Sequence, residues 1–473
     1  MEAKRIEKDF LGTLEIPKDV YYGIQTTRAL QNFPITNMTM HRELIRAFAI
    51  VKKSSALANL KVGKLDQRIA SAIAHAADEI LTGQLHDQFV VDPIQGGAGT
   101  SMNMNANEVI ANRALELLEE EKGNYAVISP NTHVNMAQST NDAFPTAIHI
   151  ATVVTLEKLL GTMETMKQSF ERKAKEFDHI VKMGRTHLQD AIPVRLGQEF
   201  AAYAAVVGRD IQRVKRAQIG LLEINIGATA IGTGLNADPQ YRDNAVRNIC
   251  EFSGFPFTKC ENLIDGTQNT DAYTETSAAL RIAMTNMSKI ANDLRLMASG
   301  PKTGFGEIRL PERQPGSSIM PGKVNPVMPE VINQIAFQVI GNDTTITLAS
   351  EAGQFELNVM EPVLVFNLLQ SIEIMTNGFT VFTKYCLDHI EANEEILTDY
   401  VERSIGVVTA LAPYLGYERS SQIAREALQS NRSVRELCLQ YGYFTTEQLE
   451  AILNPFEMTQ PGIAGEKAMA LLK

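Results

Sequence analysis

Cysteine is scarce in this chain: Cys250, Cys260, Cys386 and Cys438 are spread over 473 residues, and none forms a C-x-x-C pair. So few thiols exclude a disulfide framework and fit free cysteines in a reducing compartment. Basic charge is also short. Lys and Arg total 44 against 55 Asp and Glu, a formal net charge of −11, so no excess of cations is available to neutralise a nucleic-acid backbone. An anionic ligand must be held by local groups working against the overall field. No uninterrupted apolar run reaches the roughly 20 residues that cross a bilayer. Met1-Glu2-Ala3-Lys4-Arg5 lacks the apolar core of a secretory leader. The expectation is a cytoplasmic protein with neither a membrane nor a nucleic acid as partner. Internal repeats, low-complexity tracts and clear strand alternation are lacking as well.

What is present is helical periodicity. Hydrophobic residues make up 44% and charged residues 21%, a globular balance that argues against disorder. Residues 1–40, with Gly12, Pro17, Gly23 and Pro34, read as an irregular arm. Helical spacing begins over 41–60, resumes over 66–81, and returns from 100 to about 120 after a loop ending Gln95-Gly96-Gly97-Ala98-Gly99. Residues 122–138 read as irregular. Five long helices are then predicted over 141–178, 196–226, 274–299, 331–350 and 362–397. In the first, Val153, Leu156, Leu159, Leu160, Met163, Met166 and Phe170 recur at three- and four-residue steps. Helices of such length need packed partners, so the fold is expected to be mainly α, with a central five-helix bundle. Its apolar faces are broad enough to call for burial between subunits. The expected division is a mostly helical N-terminal domain (1–140), a central bundle (141–396) with a flexible loop at about 306–328, and a small helical C-terminal domain (397–473). In the last, Ser433-x-x-Glu436 and Thr445-x-x-Gln448 fit the capping-box pattern.

The segment between the third and fourth long helices carries the strongest chemical signal. From Gly300 to Pro326 it holds five glycines and five prolines in 27 residues, too many breakers for a helix and too long for a plain connector. It ends Gly316-Ser317-Ser318-Ile319-Met320-Pro321-Gly322-Lys323-Val324-Asn325-Pro326. Two hydroxyls, a cation and an amide within this stretch can deprotonate carbon and hold carboxylates. The spacing suits neither a metal nor a Walker-type phosphate loop. A second signal is Ser139-Thr140-Asn141-Asp142, directly before the first long helix. A helix N-terminus offers free N–H groups and partial positive charge to an anion; equally, Asn141 or Asp142 here could serve as a helix cap. His187, taken alone, reads as structural more readily than catalytic. Gln268–Asp271 and Gln354–Asn358 read as helix starts or outer groups.

These segments resemble the aspartase/fumarase superfamily. The segment 316–326 is similar to its signature, and Gly99-Thr100-Ser101-Met102-Asn103, Gln138-Ser139-Thr140-Asn141-Asp142 and Gly184-Arg185-Thr186-His187-Leu188-Gln189-Asp190 agree in order and spacing. The resemblance covers essentially the whole chain. Gln95-Gly-Gly-Ala-Gly-Thr-Ser101 and Gln138-Ser-Thr-Asn141 look like the aspartase branch rather than class II fumarase. The resemblance implies a cofactor-free lyase, without a metal, that interconverts L-aspartate with fumarate and ammonia; fumarate hydratase is the alternative. It further implies Ser317 as general base. Thr100, Ser139, Thr140 and Ser318 would stand around the β-carboxylate, Lys323 and Asn325 around the α-carboxylate, and Asn141, Thr186 and His187 near the amino group. Glu330 would pair with His187. In the family each active site draws on three chains of a homotetramer.

Overall fold

The computed structural model describes residues 3–471. Helices dominate. They are α1 (Ile24–Asn32), α2 (Arg42–Lys61), α3 (Gln67–Leu81), α4 (Thr100–Leu117), α5 (Thr140–Glu176), α6 (Leu196–Gly220), α7 (Tyr241–Ser253), α8 (Asp265–Gln268), α9 (Asp271–Met297), α10 (Val327–Glu351), α11 (Glu361–Tyr385) and α12 (Glu394–Arg403), followed by five short helices between Ala412 and Leu471. Among the described residues, strands appear only as four two-stranded sheets. These pair β1 (Lys4–Asp9) with β2 (Gly12–Pro17), β3 (Val181–Thr186) with β4 (Gln189–Arg195), β5 (Glu223–Ile224) with β6 (Thr258–Lys259), and β7 (Ile308–Arg309) with β8 (Glu391–Ala392). Only β5–β6 is parallel.

The described residues divide into two compact units. One comprises residues up to 161, 210–284 and 335–377; the other comprises 162–209, 285–334 and 378 onward. The five long helices α5, α6, α9, α10 and α11 each contribute to both. In the first unit, Ser277 of α9 donates to Asp343 of α10 at 2.7 Å, and Asn342 of α10 donates to Gln370 of α11 at 3.0 Å. In the second, Phe170 of α5 meets Phe200 and Tyr203 of α6 and Phe382 of α11 within 6.4 Å between ring centres. Polar bonds between buried helix faces need matched partners, and these fix the register of a bundle whose apolar contacts alone would tolerate sliding. α5, 37 residues long, spans roughly 55 Å at the helical rise. By length and mean hydropathy it would suffice to cross a membrane, but 78% of its most apolar window is buried within the protein, as befits a core helix.

Several expectations need correcting. Residues 1–40 are not irregular: a β-hairpin and α1 occupy them. The alternation of β1 is inverted, with Ile6 exposed and Glu7 buried, the turn exposes Phe10 and Leu11, and in β2 only Ile16 is buried, so no apolar stripe betrays the strands. Arg5 organises the arm instead, donating to the carbonyls of Pro17, Val20 and Tyr22. The carboxylates of Glu7 and Glu108 accept the first N–H groups of α1. Part of the 122–138 stretch is a π-helical turn, Pro130–Val134. The second long helix stops at Gly220, not 226, because the chain turns into β5. The fifth stops at Tyr385, not 397: Cys386 leaves helical geometry at φ −134°, and a 3₁₀ turn and β8 follow. Both C-terminal capping boxes form as read. They start helices that bury Leu437 and Leu449 with Leu411, Ile423, Val434 and Ile452 in a small core of their own. All four cysteines are free thiols.

Candidate active site

In the first unit the site residues gather where α4 and α5 begin. Gly97, Ala98 and Gly99 take three successive positive φ angles, 95°, 55° and 87°, before α4 starts at Thr100. The last of these must be glycine. A Cβ on Gly99 would stand 2.2 Å from the ring of Phe144, itself fully buried. Thr100 is exposed, and its hydroxyl donates to the Gly97 carbonyl at 2.7 Å. It must release that bond before it can serve an anion.

At the head of α5 the cap is Ser139. Its Oγ accepts from the Asn141 N–H at 3.2 Å, while Asp142 reaches back to accept from the Ser139 N–H at 2.9 Å. In this reciprocal arrangement Ser139 is the cap and Asp142, not Asn141, is the residue that bonds back to it. The Asn141 amide donates instead to Ala230 O at 2.7 Å, leaving its side-chain oxygen directed to other use. Pro145 has no N–H for the Asn141 carbonyl; the Asn225 amide supplies one at 3.0 Å.

Behind this rim lies a polar core that the sequence did not announce. Lys52 is fully buried, and its ammonium donates to the side-chain oxygens of Asn103 (2.6 Å), Gln138 (2.9 Å) and Asn135 (3.1 Å). Asn103 in turn donates to Thr140 Oγ1 at 3.2 Å. The acceptor side of that hydroxyl is thereby used and its proton is free to point elsewhere; the Ser139 hydroxyl stands in the same condition. Burial pushes Lys52 down to about 7 and Asp142 up to about 6, each opposed by attraction to the other. Asp142 also accepts the N–H groups of Gly227 and Thr229 at 3.0 Å. The sequence holds only its ingredients: Lys52 directly after the largely apolar stretch 44–51, and a helix carrying Asn103, Asn105, Asn107 and Asn112.

In the second unit, β3 and β4 close on a two-residue turn, His187–Leu188, with φ of 54° and 58°, the geometry of a tight hairpin turn. Thr186 and His187 are both exposed at its tip. The Ser317 segment forms a loop closed at its neck. The Gly316 N–H donates to Lys323 O at 2.7 Å, and the Asn325 amide donates to Gly316 O at 2.7 Å. Gly316 has no room for a side chain, since a Cβ would lie 2.6 Å from Lys323 O. Just inside the neck, Ser317 Oγ accepts the backbone N–H groups of Ile319 (3.2 Å) and Met320 (3.0 Å). Ser318 and Lys323 are exposed. Lys323, Asn325 and Glu330 line one cleft of about 650 Å³ with Arg295. No hydrogen bond or ion pair joins His187 to Glu330 among the described residues. Nor do those residues contain a cluster of three His, Cys, Asp or Glu side chains able to hold a metal ion.

A family model described as "Lyase" matches residues 12–341, and one described as "Fumarase C C-terminus" matches 407–460. The chain is 66% identical to an aspartate ammonia-lyase of Bacillus subtilis, covering 98% of both chains. Among solved structures, a fumarate lyase:delta crystallin from Brucella melitensis bound to cobalt superposes with a TM-score of 0.95 at 46% identity, covering 97% of this chain and all of that one. A class II fumarase from Schistosoma mansoni gives 0.93 at 32% identity, with the same coverage. The chain belongs to the aspartase/fumarase superfamily of lyases and, within it, to the aspartate ammonia-lyases.

Proposed function

We propose that the chain catalyses the reversible anti-elimination of ammonia from L-aspartate to give fumarate, with Ser317 as the base. The observation that carries this reading is the pair of backbone N–H groups donated to Ser317 Oγ. Hydrogen bonds to a charged form lower its pKa, so this oxygen is held ready to exist as an alkoxide, with Lys323 on the same loop as the nearest cation in sequence on its C-terminal side. The Cβ proton of aspartate lies beside a carboxylate that is already charged. Its removal loads a second negative charge onto that carboxylate, and an enzyme gains rate only by stabilising what appears in the transition state. Ser139 and Thr140, whose acceptor sides are engaged, turn their protons to that charge at the positive end of α5, joined by Thr100 and Ser318. Lys323 and Asn325 take the α-carboxylate. The Asn141 side-chain oxygen accepts from the ammonium, with Thr186 and His187 alongside.

Thr100, Ser139, Thr140 and Asn141 fall in one compact unit, and Ser317, Ser318, Lys323 and Asn325 with Thr186 and His187 in the other. We take each site to be assembled from three chains of a cytoplasmic homotetramer, His187 meeting Glu330 across subunits. Exposed Phe337, Ile340 and Leu348 on α10 (66%, 37% and 64%) supply the apolar stripe for such burial. The division near 140 and 396 completes the proposal, the middle segment being the assembly core. Incubation with fumarate, with and without ammonia, tests the reaction through loss of ultraviolet absorbance. Consumption only with ammonia is expected; consumption of fumarate alone would make the protein a hydratase. Ser317→Ala should assemble normally yet lose on the order of 10³-fold in turnover; wild-type turnover would remove Ser317 as base.

A further inference from the structure

β3 carries two cations that reach one carboxylate. Glu307, wholly buried, pairs with Lys182 at 2.6 Å and with Arg185. Residues three apart on a regular strand point to opposite faces, so a straight β3 could not deliver both. The pairing is irregular there: between the pairs Met183–Pro193 and Arg185–Asp190, Gly184 alone stands opposite Ala191 and Ile192, the extra residue being on β4, and a Cβ on Gly184 would lie 2.9 Å from Ile192 O. A bulge of this kind re-aims a side chain. The re-aimed Arg185 guanidinium lies over the ring of Phe305 at 4.3 Å and faces Tyr400 at 5.8 Å, a stacking that a lysine could not reproduce.

Glu307 stands at the N-terminal root of the segment that carries Ser317, and its backbone is fixed on both sides. Its N–H donates to Met297 O at 2.8 Å and its carbonyl accepts from Asn393 at 2.9 Å. Tyr400 donates to Phe305 O at 2.9 Å. Arg185 therefore ties the hairpin, two residues before His187, to a point held by backbone hydrogen bonds on both sides.

We propose that Arg185 is a positioning residue for the elimination: through Glu307 it fixes the orientation of the hairpin tip that presents Thr186 and His187 to the substrate amine. This rests on the proposed function. The test is a double-mutant cycle on kcat/KM for ammonia release. Arg185→Gln is expected to lose about tenfold or more, since small misplacements of a contacting group are costly. His187→Ala loses activity by itself, and adding it to Arg185→Gln should cost little further. Arg185→Gln combined with Ser139→Ala should show the product of the two losses. Multiplying losses in the His187 cycle, or wild-type activity in Arg185→Gln, would overturn the proposal. If His187→Ala alone is without effect, the assignment of His187 falls, and the same cycle run with Thr186→Ala decides on Arg185. Should Arg185→Gln fail to fold, Arg185→Lys keeps the charge on Glu307 while losing the ring stacking. It must then lose activity that His187→Ala does not deepen, or the proposal fails.

Discussion

Gly99→Ala tests whether the backbone before α4 sets the carboxylate site. Gly99 sits at φ 87°, and a Cβ there would come 2.2 Å from Phe144. The left-handed conformation costs a non-glycine residue about 1–2 kcal/mol, and forcing a methyl into packed space about 1–3 kcal/mol. The ring cannot give way cheaply: it is fully buried and stacked on Phe48 at 6.0 Å. To reach ordinary contact, the turn or the first turn of α5 must shift by about 1 Å. The turn holds Thr100, and α5 begins with Thr140 and Asn141. A displacement of that size can cost on the order of 100-fold in rate. The expected result is a loss of about 2–5 kcal/mol in unfolding free energy by urea titration, with kcat/KM for fumarate formation falling on the order of 100-fold. A variant with wild-type kcat/KM and midpoint would show that neither the close approach to Phe144 nor the left-handed turn constrains the site.

Asn225→Ala should destabilise by about 1–3 kcal/mol, because the Asn141 carbonyl, denied a partner by Pro145, loses its substitute; an unchanged melting midpoint and kcat/KM would contradict that role. Glu361 is buried, and burial pushes it from 4.5 up to about 8. Its contribution to stability is full below the unfolded value and lost as pH rises through 8, about 5 kcal/mol per chain at most. Glu361→Gln should therefore flatten the decline in urea midpoint between pH 5 and 9, and parallel curves for variant and wild type would sink the idea. Extended treatment with a chelator should leave ammonia release intact, since no cluster of ligands stands ready among the described residues. Activity lost to chelator and restored by one divalent ion would reverse this expectation.

The long helices were legible because burial on one face writes a period into the sequence, as Val153 to Phe170 do in α5. The breakers between Gly300 and Pro326 marked the loop, and capping residues marked the C-terminal helices. Hairpins were not legible. β1 exposes its one isoleucine and buries a glutamate, the β1–β2 arm depends on one arginine, and β3–β4 hides an irregular register inside what read as a motif. Periodicity reports only elements that bury a face.

The sequence by itself determined the family and the residue types proposed for the chemistry, because short hydroxyl, amide and lysine side chains in fixed local order carry their own signature. Tertiary structure alone decided which of their hydrogen-bonding sides stay available. Thr140 and Ser139 accept from Asn103 and from the Asn141 N–H, which leaves their protons unspent, while the Thr100 proton is given to Gly97. It also placed Lys52 beneath them, 51 positions before Asn103 in the chain. Contacts so distant in sequence arise only when packing brings helices together, so no local pattern could have foretold them.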